Sequence, residues 1–126
     1  MPLILQHRIQ RADLKANPHV LYVFGDNPER QGFGGQAGEM RGEPNALGVA
    51  TCSLAKPWSE ANAAAQCALI DADLAPAFEA LRHGEIVVFP LDGIGTGIAD
   101  LERRSPTTWA HLQTRIIELK NTEETF

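Results

Sequence analysis

Two stretches of this sequence hold most of the residues whose type and spacing could do chemistry. Gly25, Gly32, Gly34, Gly35, Gly38, Gly42 and Gly48 crowd the first, and Gly93, Gly95 and Gly97 form the second. A glycine-free run from Val49 to His83 separates them. Glycines let a backbone approach a ligand closely and turn several N–H groups toward one anion, so such loops can hold a diphosphate without lysine or arginine. The candidate carboxylates in or beside these stretches are Asp26, Glu39, Glu43 and Asp92. A positioned carboxylic acid or an oriented water is what glycosidic cleavage through an oxocarbenium-like state requires, and Asp26 is the best placed. Each feature also has a structural reading. Glycines shape ordinary turns, Glu39 can face solvent, Glu43 before Pro44 can cap a turn, and Arg41 can pair with either glutamate at the surface. Cys52 reads as a small buried thiol, because no activating partner is visible. His7, His19, His83 and His111 are scattered, and Cys52 and Cys67 give no ligand spacing, so neither a metal nor a cofactor is expected.

The elements that must position these loops are legible as short apolar runs. Leu3 to Leu5 begins a strand. Val20–Phe24 is apolar without alternation, which suits a strand covered on both faces. Ala46–Thr51 is a weaker candidate, and Ile86–Phe89, β-branched and closed by Pro90, the clearest. Leu74, Ala77, Phe78 and Leu81 recur at helical spacing, with Asp71 or Asp73 as N-cap, His83 at the C-terminus and Gly84 as stop. Ser105 followed by Pro106 starts another helix, whose stripe is Trp109, Leu112, Ile116 and Leu119. Shorter helices are expected from Gly34 or Gly35 to Met40 and over Ser59 to Leu69. Strands alternating with helices predict a layered α/β fold. Both glycine stretches then follow buried strands, where open α/β sheets bind their ligands. A helix opening at Gly34 or Gly35 would add its free amides and a favourable dipole.

Composition narrows the classes. One domain spanning 1–126 is expected from 126 residues, 44% of them hydrophobic. Eleven basic against 16 acidic residues, a net charge of -5, argue against a general binder of nucleic-acid backbones. No apolar run approaches a membrane span, and the apolar N-terminus meets Gln6, His7 and Arg8 too soon for a signal peptide. A cytoplasmic protein with no membrane partner is the expectation. Gly32-Phe33-Gly34-Gly35-Gln36-Ala37 fits the letters of a dinucleotide fingerprint, but it does not follow its strand directly. Leu54-Ala55-Lys56 stands where that fingerprint needs an acid. No Gly-Lys-Ser or Gly-Lys-Thr occurs. Trp58 reads either as a lid over a base or as loop packing.

The two loops together resemble the macro domain. Val23-Phe24-Gly25-Asp26-Asn27, a spacer, then Gly32-Phe33-Gly34-Gly35-Gln36-Ala37-Gly38 is similar to that family's first loop. Val88-Phe89-Pro90 with Gly93-Ile94-Gly95-Thr96-Gly97-Ile98 resembles its phosphate loop. The likeness covers most of residues 3–120 but not the region 50–69. It implies a three-layer α/β/α fold with a mixed, mostly parallel sheet. It also implies binding of ADP-ribose or a related nucleotide, and removal of ADP-ribose from a modified protein or nucleic acid as a further activity. The resemblance assigns Asp13 to the adenine amine and Asn27 to the distal ribose; Asn27 and, by its place at the strand end, Asp26 are the catalytic candidates. It assigns Gly34, Gly35 and Gln36 to that ribose and the diphosphate. Gly93, Ile94, Gly95, Thr96, Gly97 and Ile98 would wrap the diphosphate. Four departures stand out. Asp100 replaces or follows the family's last loop glycine. Asp26 replaces an alanine, and could meet ribose hydroxyls or repel a diphosphate. Phe33 interrupts the glycine run. Met40 follows Glu39 where related glycohydrolases pair two glutamates, which leaves Glu39 an outside candidate. The rival reading is a non-catalytic module of the same shape that docks a protein or sequesters a nucleotide signal.

Overall fold

The computed structural model describes residues 3–122. Four strands, β1 (Leu3–Gln6), β2 (Leu21–Asp26), β3 (Ala46–Ala50) and β4 (Val87–Pro90), form one sheet in the order β1-β4-β2-β3. All three pairings are parallel, so the antiparallel member of a mixed sheet is absent among the described residues. Among the described residues five α-helices flank it: α1 (Arg11–Ala16), α2 (Ala37–Met40), α3 (Ala63–Arg82), α4 (Leu101–Arg104) and α5 (Pro106–Asn121).

Alternation along the central strands explains their unbroken hydrophobicity. Val23, Val87 and Phe89 enter a core with Ile70, Leu74 and Phe78 of α3 and Leu112 and Leu119 of α5. Tyr22, Phe24 and Val88 point the other way, onto Leu14 of α1 and Met40 of α2. A strand with both faces covered has no reason to alternate apolar with polar residues. The architecture is the three-layer α/β/α arrangement expected from the sequence.

Two predicted helices are one. The segments over 59–69 and 71–83 fuse into the 20-residue α3, with Pro76 inside it. Proline in a helix interior costs about 3 kcal/mol; burial of Ile70, Leu74, Ala77, Phe78 and Leu81 along one face offsets it. Asp71 and Asp73 are therefore mid-helix residues, not caps. Asp71 pairs with His111 at 2.7 Å and Arg115 at 3.1 Å on α5. Asp73 accepts the Ala50 N–H at 2.8 Å and pairs with Arg30 at 2.6 Å. Trp58 is buried in the core, which decides between lid and packing. Helix α5 begins at Pro106 as its sequence signals, fastened by Gln66, whose Nε2 donates to Thr108 Oγ1 at 2.7 Å and Ser105 Oγ at 3.0 Å.

Strand order fixes where a ligand can sit. From β2 the chain crosses through α2, on the Leu14–Met40 side, to β3. From β4 it leaves toward α4 and α5 on the opposite side. The loops after two hydrogen-bonded neighbours, β2 and β4, thus part to opposite faces of the sheet. Such a reversal opens a crevice beyond the strands' carboxyl ends.

Candidate functional site

A cleft of about 670 Å³ occupies that crevice. Its floor is Gly25 and Asp26 at the end of β2, Thr51 after β3 and Pro90 at the end of β4. The first glycine loop contributes Gly32, Gly34 and Gly35, and the second contributes Gly93 to Gly97. Gln6 at the end of β1, with His7 and Arg8 after it, closes one side; Cys52 and Leu54 after β3 close the other. Residues 60 positions apart in sequence meet because parallel pairing sets all four carboxyl ends on one edge.

The N–H groups of Gly32, Gly34, Gly35, Ile94, Gly95 and Thr96 donate to no acceptor among the described residues. Unpaired main-chain donors beside a concave surface are held for water or a ligand. The two loops keep their shape differently. Gly93, Gly95 and Gly97 all have positive φ, 81°, 79° and 60°, and Ile94 is buried as an anchor. The first loop is braced by side chains. Asn27 Nδ2 donates to the Gln31 carbonyl at 2.8 Å, while Gln31 N–H donates to Asn27 Oδ1 at 3.2 Å. Arg41 Nε donates to the Gly32 carbonyl at 2.7 Å.

Asp26 is buried, but its carboxylate is not free in the cleft. Arg41 and Arg30 both pair with it, Arg30 at 3.4 Å. Gly48 on the neighbouring strand makes room for that carboxylate, since a Cβ there would overlap it. Arg30 continues the chain of charges to Asp73. Burial alone would lower the Arg30 pKa, but the hydrogen bond and charge of Asp73, then of Asp26, hold it raised. Arg41 therefore points inward, over the Phe24 ring at 5.5 Å, and not to Glu39 or Glu43 at the surface.

The other sequence-derived candidates divide clearly. Gly34, Gly35, Gly93, Ile94, Gly95, Thr96 and Gly97 line the cleft. Asn27 lines it too, with its amide engaged in the loop clasp. Gln36 lines it, but its amide is bonded both ways to Ile9, accepting N–H at 3.2 Å and donating to the carbonyl at 3.1 Å. Asp13 does not line the cleft. Its carboxylate accepts Gln10 N–H at 2.9 Å and Gln6 Nε2 at 3.0 Å, capping α1. Glu39 accepts the Arg11 N–H at 3.3 Å, and Glu43 pairs with Arg11 at 2.5 Å; neither reaches the cleft. Asp92 lines it and pairs with His7 at 3.4 Å, both side chains exposed. The side chain of Ile98 lies outside the described residues. Helix α2 opens at Ala37 and has four residues, because Gly35 at φ 56° is not helical. The dipole expected from a helix starting at Gly34 or Gly35 is correspondingly slight.

Cys52 lines the cleft half-buried. Burial, then the charges of Glu29 and Asp26, push its thiol up, which keeps it protonated at neutral pH. Glu29 is held below the usual carboxylate range by the Leu54 N–H and then the Ser53 hydroxyl, so it ties the first loop to the segment after β3. Among the described residues no group of three or more His, Cys, Asp or Glu side chains could hold a metal ion. No helix of the described residues is long and apolar enough to cross a membrane. Gln6, His7, Arg8, Gln31, Arg41, Thr51 and Leu54 were missed from sequence. The rule that ligands lie beyond strand carboxyl ends, applied to β1 and β3 as well, would have flagged most of them.

Fold and cleft together define a parallel three-layer α/β protein with its concave surface at a topological switch point. The chain belongs to a family of unknown function, DUF7831, whose model matches residues 4–115. Neither a curated protein nor a solved structure matches it.

Proposed function

We propose that this cleft binds ADP-ribose or a related nucleotide, in the manner of a macro-like domain, with retention of the ligand as its main action. The observation that carries this reading is the set of unpaired N–H groups on two glycine loops facing each other across the β2–β4 crevice. Donors without protein acceptors suit a diphosphate, and each charge-assisted bond contributes about 1.5–3 kcal/mol when dry. The cleft volume falls in the range of small-molecule and cofactor sites. Exposed Phe33, Leu54 and Leu91 supply apolar surface on three of the surrounding loops, suited to a base or ribose. Release of ADP-ribose from a modified acceptor is the secondary activity. It ranks second because Asp26, the best-placed acid, is engaged by two arginines.

Calorimetry with ADP-ribose, AMP, NAD and ribose 5-phosphate tests the reading. The variant to use is Gly34→Glu. Gly34 lies in open space without a positive φ, so a carboxylate can enter the cleft there without disturbing the fold. Binding of ADP-ribose alone, lost in Gly34→Glu, is expected. No heat with any of the four ligands would remove the nucleotide and leave the non-catalytic docking module as the better reading. Incubation with an ADP-ribosylated protein then separates retention from turnover.

A further inference from the structure

The turn after β1 is clamped on both sides. Gln6 Nε2 donates to the Arg8 carbonyl and to Asp13 Oδ2, both at 3.0 Å. On its other side Ile9 is clasped by both amide atoms of Gln36. Two residues assigned to the ligand by resemblance, Asp13 and Gln36, thus turn their polar atoms on this turn instead. Between the clamps stands Arg8, exposed and lining the cleft.

The charges around the cleft single out that guanidinium. Arg41 is paired with Asp26, and Asp26 with Arg30 as well. Asp92 pairs with His7. The Arg8 guanidinium forms no hydrogen bond or ion pair among the described residues, although the Arg8 carbonyl accepts from Gln6. It follows Gln6, whose strand pairs with β4 so that Gln6 lies opposite Pro90; Leu91 N–H donates to the Gln6 carbonyl at 2.9 Å. Arg8 therefore borders the loop that carries the unpaired amides of Ile94, Gly95 and Thr96.

We infer that Arg8 is the cleft's anion anchor: its guanidinium and the Ile94–Thr96 amides together seat one phosphoryl group of the ligand. An arginine fork matches phosphate oxygens in a bidentate way, while backbone donors fix the remaining oxygens. Gln36 and Asp13 act as positioning residues through the turn. This assignment rests on reading the cleft as a phosphate-bearing ligand's site, and it moves the ligand's charge toward β1 and away from the first glycine loop.

Titrations of wild type, Arg8→Gln and Arg8→Lys with inorganic pyrophosphate and with ADP-ribose test it. The expected result is about a 10-fold weakening in Arg8→Gln with partial recovery in Arg8→Lys, unfolding midpoints unchanged. Pyrophosphate binding that depends on Arg8, with no ADP-ribose binding by any form, would keep the anchor and remove the nucleotide. ADP-ribose bound equally by all three proteins would remove the anchor and keep the nucleotide. Wild type that binds neither probe overturns the anchor outright.

Discussion

The two glycine loops face one cleft, yet their shapes have different physical origins. The loop after β2 is braced from outside: Arg41 reaches the Gly32 and Gln31 carbonyls, Asn27 clasps Gln31, and Gln36 reaches back to Ile9. The loop after β4 holds itself. Its three glycines take left-handed conformations, Gly93 N–H turns back to Pro90 at 2.9 Å, Leu101 N–H closes on Gly95 at 2.9 Å, and buried Ile94 pins it. A braced loop fails when a distant side chain is removed; a self-held loop fails when an atom is added. Glycine count alone does not distinguish them.

The largest effect should come from the brace. Arg41→Ala leaves the buried Asp26 carboxylate with Arg30 alone, and is expected to cost about 3–5 kcal/mol in urea unfolding. Gly48→Ala pushes the same carboxylate from its seat, at about 1–3 kcal/mol. In an Asp26→Ala background that cost should fall to what the remaining Cβ contact at 3.0 Å imposes, and a double-mutant cycle reads the coupling. Additive effects would mean that Gly48 serves the strand and not the carboxylate.

The self-held loop predicts a smaller, asymmetric result. Gly95→Ala adds a Cβ at φ 79°, 3.2 Å from Leu101 Cδ2, and should lose about 1–2 kcal/mol. Gly34→Ala, in open space on the braced loop, should stay within about 0.5 kcal/mol. Equal losses would erase the distinction between the loops.

Two smaller effects sharpen it. Cys52, its thiol pushed up, should alkylate slowly at pH 7, and its rate should keep climbing with pH beyond the ordinary thiol range, read as the labelled peptide by mass spectrometry. Fast labelling at neutral pH would place an activating group beside it. Glu29 is held low, so its contribution is present above the unfolded value near 4.5 and disappears as pH falls through its lower folded value. Acidification through that window should loosen the tie between the first loop and Ser53–Leu54, and Glu29→Gln should flatten the change. Because Glu29 is only partly buried on a surface loop, amide exchange at Leu54 is a better monitor than global stability.

Much of this was legible from local signals. Ser105-Pro106 started its helix because proline at that position loses no needed donor. Val20–Phe24 read as a two-faced strand because nothing polar interrupted it. Both glycine loops landed at strand ends beside the cleft. Illegible were the partners of polar side chains. Asp71 and Asp73 carry the letters of N-caps, yet α3 ran through them and through Pro76, because the apolar face of the combined helix outweighs local cap chemistry. Arg41 sits two residues from Glu39 and from Glu43, and chose Asp26, 15 positions away in sequence.

By itself the sequence determined the layer class, the two buried central strands and the glycine positions, since these follow from periodicity and backbone sterics within a few residues. Tertiary structure alone decided that every strand pairing among the described residues is parallel, that Asp26 is paired with two arginines, that Asp13 and Gln36 clamp a turn, and that the Arg8 guanidinium stands unpaired at the cleft. The reason is range. Backbone preference acts over one to four residues, whereas a charge selects its partner through space, across whichever segments the sheet order has brought together.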